Sequence, residues 1–344
     1  MSRIAVVLFN LGGPDGPRAV RPFLKNLFSD PAIIGAPGPV RLLLAEAISR
    51  LRERLAIENY AVMGGASPLN AGTEAQAQAL AAQLSALRPA DEVRIFKAMR
   101  YWRPFTEEVA AEVAAFEPDE LVLLPLYPQF STTTTGSSLT AWRRTYAGGG
   151  REHLVCCYFD QPAFAEAHAA LIRRTWEAAG APAKVRLLFS AHGLPERISN
   201  SGDPYRWQVE RTCEAVAVRL GDGWDWRVCY QSRIGPMKWI GPATVEAIEA
   251  AGAAGLGAVV VPIAFVSEHV ETLVELDRDY AAVARKAGAA PYIRVPALGT
   301  DAGFIDGLAQ LVVGALASEG VQPGAGRCAG ALSRCAAAMG ARTA

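Results

Sequence analysis

Short apolar runs rich in β-branched residues recur along this chain, each separated from the next by an Ala- and charge-rich stretch of helical length. The runs are Ile4–Phe9, Val93–Phe96, Leu121–Pro125, Val185–Ser190, Val228–Gln231, Val259–Ile263 and Tyr292–Val295. The helical stretches include Thr73–Leu87, Thr106–Phe116, Ala163–Ala179, Tyr205–Leu220, Glu271–Ala287 and Ala302–Ser318. Strands spaced by helices form βαβ units, hence parallel sheets covered by helices. Counted generously, one group of strands falls before residue 130 and another after residue 184, with Ala163–Ala179 connecting them. The expected fold class is therefore α/β, with two doubly wound lobes and a cleft between them. The expected divisions are residues 1–168, residues 169–318 and a Gly-, Ala- and Cys-rich extension, 319–344.

Composition narrows the partners. Lys plus Arg and Asp plus Glu are equal at 34 each, so net charge gives no reason to expect nucleic acid. The apolar run Ile4–Phe9 is too short for the core of a signal peptide and reads as a first strand. Ala250–Val266 carries no charge, but it contains Pro262 and falls short of a membrane span. A helix end, a turn at Gly255 and Gly257, and a buried strand explain it better. The expectation is a cytoplasmic protein. Of the six cysteines, Cys213 and Cys229 read as small core residues, and no disulfide is expected without an export signal.

Chemistry-bearing residues gather where the apolar runs stop, beyond the carboxyl ends of parallel strands, which is where ligands bind in such sheets. Leu187–Ser190 runs into Ala191-His192-Gly193-Leu194-Pro195, placing His192 on a turn. Val261–Val266 runs into Ser267-Glu268-His269-Val270-Glu271. Imidazole and carboxylate together suit a divalent transition metal or a proton relay. On a regular helix, residues two apart do not share a face. Either the helix starts irregularly, or only one of His269 and Glu271 is in the front rank, and Glu271 is the choice. Further strand ends carry Asn10-Leu11-Gly12-Gly13-Pro14, a tight turn without a nucleotide spacing. A hydroxyl-rich turn from Ser131 to Ser138 suits an anion, with Ser137 as a helix N-cap. Arg100, Tyr101, Trp102 and Arg103, with Tyr230 to Trp239, combine flat aromatics with cations, which suit a large planar anionic ligand.

Taken together, these segments closely resemble the ferrochelatase family. Beyond those quoted, the matching stretches are Gly64–Leu69, Leu124–Gln129, Thr133–Ser138, Gly202–Tyr205, Tyr230–Pro236, Trp239–Pro242 and Val266–Leu273. They come in family order from residue 10 to about 300. The resemblance implies two Rossmann-like lobes around a porphyrin cleft, and a lyase that inserts ferrous iron, its substrate, into protoporphyrin IX to make protoheme. It implies His192 and Glu271 as catalytic and metal-site residues, with His269, Glu268 and Ser267 on a supporting proton or metal path. Tyr60, Arg100, Tyr101, Gln231, Ser232 and Trp239 fall where the family lines its macrocycle pocket. Free porphyrin holds two pyrrole N–H protons, so the ring must be bent, deprotonated and metallated. An imidazole with an ordinary pKa near 6.5 suits the deprotonation.

Some family members carry a [2Fe–2S] cluster on cysteines of a C-terminal extension. Here Cys157, Cys328 and Cys335 are the firmer implied ligands, while the position of a third tail cysteine, near residue 337, holds Ala337. Cys156 is the remaining candidate, although adjacent residues on a strand point to opposite faces. Rival readings are a coproporphyrin substrate with four propionates, a cobalt chelatase, and a porphyrin carrier without catalysis. Protoporphyrin is poorly soluble, so peripheral contact with a membrane is a further expectation, with Pro22–Arg41 as an apolar lip. The chain is expected as a monomer or homodimer.

Overall fold

The computed structural model describes residues 1–233, 235–318, 320–323, 328 and 332–336. Ala337 lies outside them. Nine strands form two all-parallel sheets among the described residues. They are β1 (Arg3–Asn10), β2 (Glu92–Met99), β3 (Glu120–Pro125), β4 (Arg151–Val155), β5 (Val185–His192), β6 (Trp226–Gln231), β7 (Gly257–Pro262), β8 (Tyr292–Arg294) and β9 (Val321–Gln322). The first sheet has the order β2-β1-β3-β4-β9 and the second β6-β5-β7-β8.

The apolar runs become strands because a parallel sheet is covered on both faces, so a continuous hydrophobic sequence is buried throughout. Ile4–Phe9 in β1 and Ala258–Val261 in β7 are buried along their whole length. Each fully buried Val, Leu, Ile or Phe contributes about 1.5–3 kcal/mol. The helices Thr106–Phe116 and Tyr205–Leu220 have the expected bounds, and Pro162–Ala178 comes within one residue of them.

The chain forms two compact units. The first holds Met1–Cys157, the chain from Leu308 through β9, and Cys335. The second holds Tyr158–Gly307, Cys328 and Leu332–Arg334. The expected boundary at residue 168 falls inside the helix Pro162–Ala178, which packs on the Tyr205–Leu220 helix and β8 and lies wholly in the second unit.

Three local features differ from expectation. The start of the extension is not an appendage: Leu154 pairs with Val321 and Val155 with Gln322, making β9 the edge of the first sheet. Glu271–Ala287 is not one regular helix, since Glu271–Tyr280 is a π-helix continued by the α-helix Ala281–Ala287. The expected lip is largely covered: Phe23 is buried, and Phe28, Ile33 and Ile34 are half-buried. The exposed apolar residues lie further on, along the helix Gly38–Val62, at Val40, Leu42, Leu43, Leu44, Leu51 and Leu55. Among the described residues no helix is long and apolar enough to cross a membrane. Ala250–Val266 holds a helix end, a turn and β7.

Candidate metal and porphyrin site

In the second unit, β5 and β6 end side by side, with His192 opposite Gln231. His192 directs its two ring nitrogens to different partners. Nδ1 lies 2.5 Å from the Gly193 carbonyl, which can only accept, so Nδ1 carries a proton. Nε2 is left facing Glu271 Oε1 at 3.5 Å. Gly193 allows this turn: a Cβ there would stand 2.8 Å from the Gln231 carbonyl and 3.2 Å from Trp239 Cε3. Tyr205 OH donates to the His192 carbonyl at 3.1 Å.

The irregular helix start brings His269 to the same carboxylate. His269 precedes the helix and caps it: its carbonyl accepts from Thr272 N and Leu273 N, while its own N–H donates to Thr272 Oγ1. The His269 ring is thereby free to turn back, placing Nε2 3.3 Å from Glu271 Oε2. Glu271 therefore sits between two imidazoles, and Phe265 lies beside both, its ring centroid 4.5 Å from that of His269 and 6.5 Å from that of His192. His269 stands level with His192, not behind it.

Electrostatics bind the trio. Burial disfavours charge on His192, but Glu271, the Gly193 carbonyl and Glu275 together outweigh it and hold the imidazolium up to about 9. Burial likewise works against the Glu271 carboxylate, and the two imidazoles overcome it, so its pKa falls well below the usual carboxylate range. Both shifts favour the charged forms, imidazolium beside carboxylate.

Glu275, one turn beyond Glu271, went unread in the sequence although it repeats a carboxylate four residues on. It accepts from Ser232 N at 2.9 Å, Gln231 Nε2 at 3.1 Å and Tyr280 OH at 2.6 Å, and also from Ser232 Oγ. Gln231 is wholly buried. It donates to the Glu271 carbonyl at 2.9 Å and accepts from Ser190 Oγ at 2.8 Å, so it braces the π-helix from inside. Ser232 is occupied in the same way. Glu268 turns away, accepting from Arg294 Nη1 and Ala297 N, and Ser267 is buried. Trp239 is half-buried beside an open depression of about 430 Å³ lined also by Glu196, Arg233, Met237 and Lys238.

In the first unit the strand ends hold a second polar cluster. Asp30, which carries no signal in the sequence, is buried and organises it. Its Oδ2 accepts from Arg100 Nη2 at 2.7 Å, Tyr101 OH at 2.8 Å and Ser137 Oγ, and Oδ1 accepts from Ala32 N at 2.8 Å. Ser137 Oγ also accepts from Arg100 Nε at 2.7 Å. Ser137 is therefore inside the helix Thr135–Thr145, whose N-cap is Thr134. Burial and Asp30 push the Tyr101 phenol up, so it stays a donor. Tyr101 and Tyr60 are both buried, and Arg100 keeps an exposed edge.

Cys156 and Cys157 follow the last residue of β4 and so escape the alternation of a strand. Both are buried, as is Cys335. Cys328, in the second unit, accepts from Gln208 Nε2 at 3.2 Å. Among the described residues, no three His, Cys, Asp or Glu side chains already stand as a closed metal cage.

Two parallel-sheet α/β units are the architecture of the chelatases, and in the second unit an imidazole–carboxylate pair stands at the strand ends. A multi-domain protein of Deinococcus radiodurans, described as structurally similar to chelatases, aligns with a TM-score of 0.54 at 16% identity over 92% of this chain and 55% of its own. That likeness concerns fold alone. The ferrochelatase family model matches residues 3–316. The ferrochelatase of Phenylobacterium zucineum is 58% identical over 98% of this chain and 99% of the relative. That of Caulobacter vibrioides is 61% identical over 90% and 89%. The chain belongs to the ferrochelatase family. It is a lyase that inserts ferrous iron into protoporphyrin IX to form protoheme, the last step of heme biosynthesis.

Proposed function

We propose that the His192–Glu271 pair takes the pyrrole protons and meets the incoming iron. The observation that carries this is the 3.5 Å approach of His192 Nε2 to Glu271 Oε1, with Nδ1 already committed to Gly193. Only Nε2 is then available to the substrate. Nε2 gives up its proton through the partly open edge of His192 and then takes a pyrrole proton, while the Glu271 carboxylate stabilises the imidazolium that re-forms. His269 donates to the other oxygen and fixes the carboxylate. The pair unloads once between the two deprotonations, through the partly open edge of His192. An imidazole and a carboxylate bind ferrous iron without the grip of thiolates, as suits a metal that must move on. Arg100, held by Asp30 and Ser137, supplies the cation toward the anionic ring substituents, and Trp239 supplies a flat apolar wall.

The test is iron insertion by purified His192→Ala. Loss of a positioned base predicts a fall in kcat of about 10²–10⁴-fold, with protoporphyrin KM moving far less. Near-normal turnover would sink the assignment. Running protoporphyrin IX beside coproporphyrin reads the preference between two and four carboxylates.

The apolar residues Leu43, Leu51 and Leu55 on the helix Gly38–Val62 support peripheral membrane contact, with Arg50 and Arg54 flanking them. Leu51→Glu with Leu55→Glu is expected to reduce co-sedimentation with anionic vesicles several-fold, and unchanged binding refutes the contact. The cysteines support a [2Fe–2S] cluster: their soft sulfur donors suit iron–sulfur ligation, and Cys157, Cys328 and Cys335 are the implied holders.

A further inference from the structure

Strand β8 is only three residues long, yet it grips the π-helix. Alternation along a strand puts Tyr292 and Arg294 on one face and Ile293 on the other. Ile293 belongs to the core around β5 and the helix Tyr205–Leu220, while Tyr292 packs against the cluster that contains Leu276 and Tyr280 of the π-helix. Tyr292 OH donates to the Leu276 carbonyl at 2.7 Å. Arg294 holds two carboxylates at once. Its Nε and Nη2 donate to Asp277 Oδ1 and Oδ2, each at 2.7 Å, a paired geometry that a guanidinium offers and an ammonium does not. Its Nη1 donates to Glu268 Oε1 at 2.5 Å, and the same oxygen accepts from Ala297 N at 2.9 Å.

Glu268 and Asp277 bracket the segment that carries the site. Glu268 is joined to His269, whose ring turns back on Glu271, and Asp277 lies within the π-helix. So long a run of i→i+5 bonding calls for outside support, because π-helical turns occur mostly singly inside α-helices. Ordinary α-helical winding closes each turn with one residue fewer. The same residues would then be rotated about the helix axis, and Glu271 and Glu275 would leave His192 and Ser232. Gln231 and Ser232 hold one side of the helix, through the Glu271 carbonyl and the Glu275 carboxylate. Arg294 and Tyr292 hold it from β8. The Glu268 carboxylate, expected from the sequence on a proton or metal path, is engaged by this clamp. Arg294 bonds to Glu268 and Asp277 and so acts at one remove from the reacting groups.

We infer that Arg294 is a positioning residue for iron insertion: by tying Glu268 to Asp277 it fixes the π-helical winding that seats Glu271 between His192 and His269. This rests on the His192–Glu271 reading above and extends it to a residue outside that site.

The test measures iron insertion into protoporphyrin IX by the full chain and by Arg294→Met, alone and combined with Glu271→Gln. Methionine keeps much of the apolar stem of arginine and removes its donors. Arg186→Met is the matched control: the Arg186 side chain is 16% exposed against 14% for Arg294, and it pairs with Asp225 at 2.7 Å, near the opening of β5 and away from His192. Each rate is taken per folded molecule, from urea unfolding of the same preparation. Arg294→Met is expected to lower kcat about 10–10²-fold with protoporphyrin KM nearly unchanged, and Arg186→Met to keep the parent kcat. In the Glu271→Gln background, Arg294→Met should lower kcat by less than about twofold more, because the carboxylate it positions is already gone. Should Arg294→Met not fold, Arg294→Lys takes its place, keeping the charge and losing the paired geometry, with the same expectations. A parent kcat for the Arg294 variant, an equal fall in both backgrounds, or an equal fall in Arg186→Met overturns the inference. A parent kcat for Glu271→Gln alone overturns the reading on which it rests.

Discussion

His168 lies on the helix Pro162–Ala178 with no exposed surface, its ring edge-on to Phe164 at 4.8 Å. Neither ring nitrogen has a hydrogen-bond partner. Burial drives its pKa down to about 3, with Asp301 pulling weakly the other way. An unfolded chain protonates this residue near the ordinary value of about 6.5. As pH falls from there, the unfolded state gains a proton that the folded state refuses until about 3, so stability drains away across that window. The loss is about 2 kcal/mol at pH 5 and approaches about 5 kcal/mol near pH 3, against a usual total of about 5–15 kcal/mol. His168→Leu removes the titration and also relieves a buried polar group left unpaired, worth about 1–3 kcal/mol at neutral pH. Urea unfolding of parent and variant at about pH 7.5 and about pH 5 measures both terms. Carboxylates that titrate in the same range affect the two proteins alike and cancel in the difference. If the variant loses as much stability as the parent on acidification, the reasoning about His168 is refuted.

Two further substitutions probe how the site is held. Gly193→Ala puts a methyl group 2.8 Å from the Gln231 carbonyl, so the turn carrying His192 must shift; kcat is expected to fall at least about tenfold, and unchanged kcat would show that the turn has slack. Asp30→Ala leaves Arg100 and Tyr101 without their shared acceptor, at a cost of about 3–5 kcal/mol read from the urea midpoint; a loss below about 1 kcal/mol would mean the network is not held as a unit.

The strands were legible because parallel sheets demand unbroken apolar runs, and His192 and Glu271 were legible because those runs stop at them. What escaped has physical causes. The π-helix was hidden because its residue types are those of any amphipathic helix, and only its hydrogen bonding distinguishes it. That in turn concealed how His269, two residues from Glu271, reaches the same carboxylate. Asp30 gave no signal, since a buried carboxylate is defined by partners far away in sequence, at Arg100 and Ser137. Strand β4 was missed because Arg151-Glu152-His153 opens it with polar residues, as suits a strand close to the edge of its sheet.

The pairing of β9 with β4 also bears on how the protein is made. On the ribosome the first four strands emerge early, but β4 keeps an unpaired edge until Val321 and Gln322 have been synthesised. Through synthesis of Tyr158–Gly307, the first unit carries a bare row of backbone donors and acceptors, which is the feature that recruits other strands. The polar opening of β4, with Arg151 and His153 both bound to Glu120 of β3, makes that edge a poor template for a wrong partner while it waits.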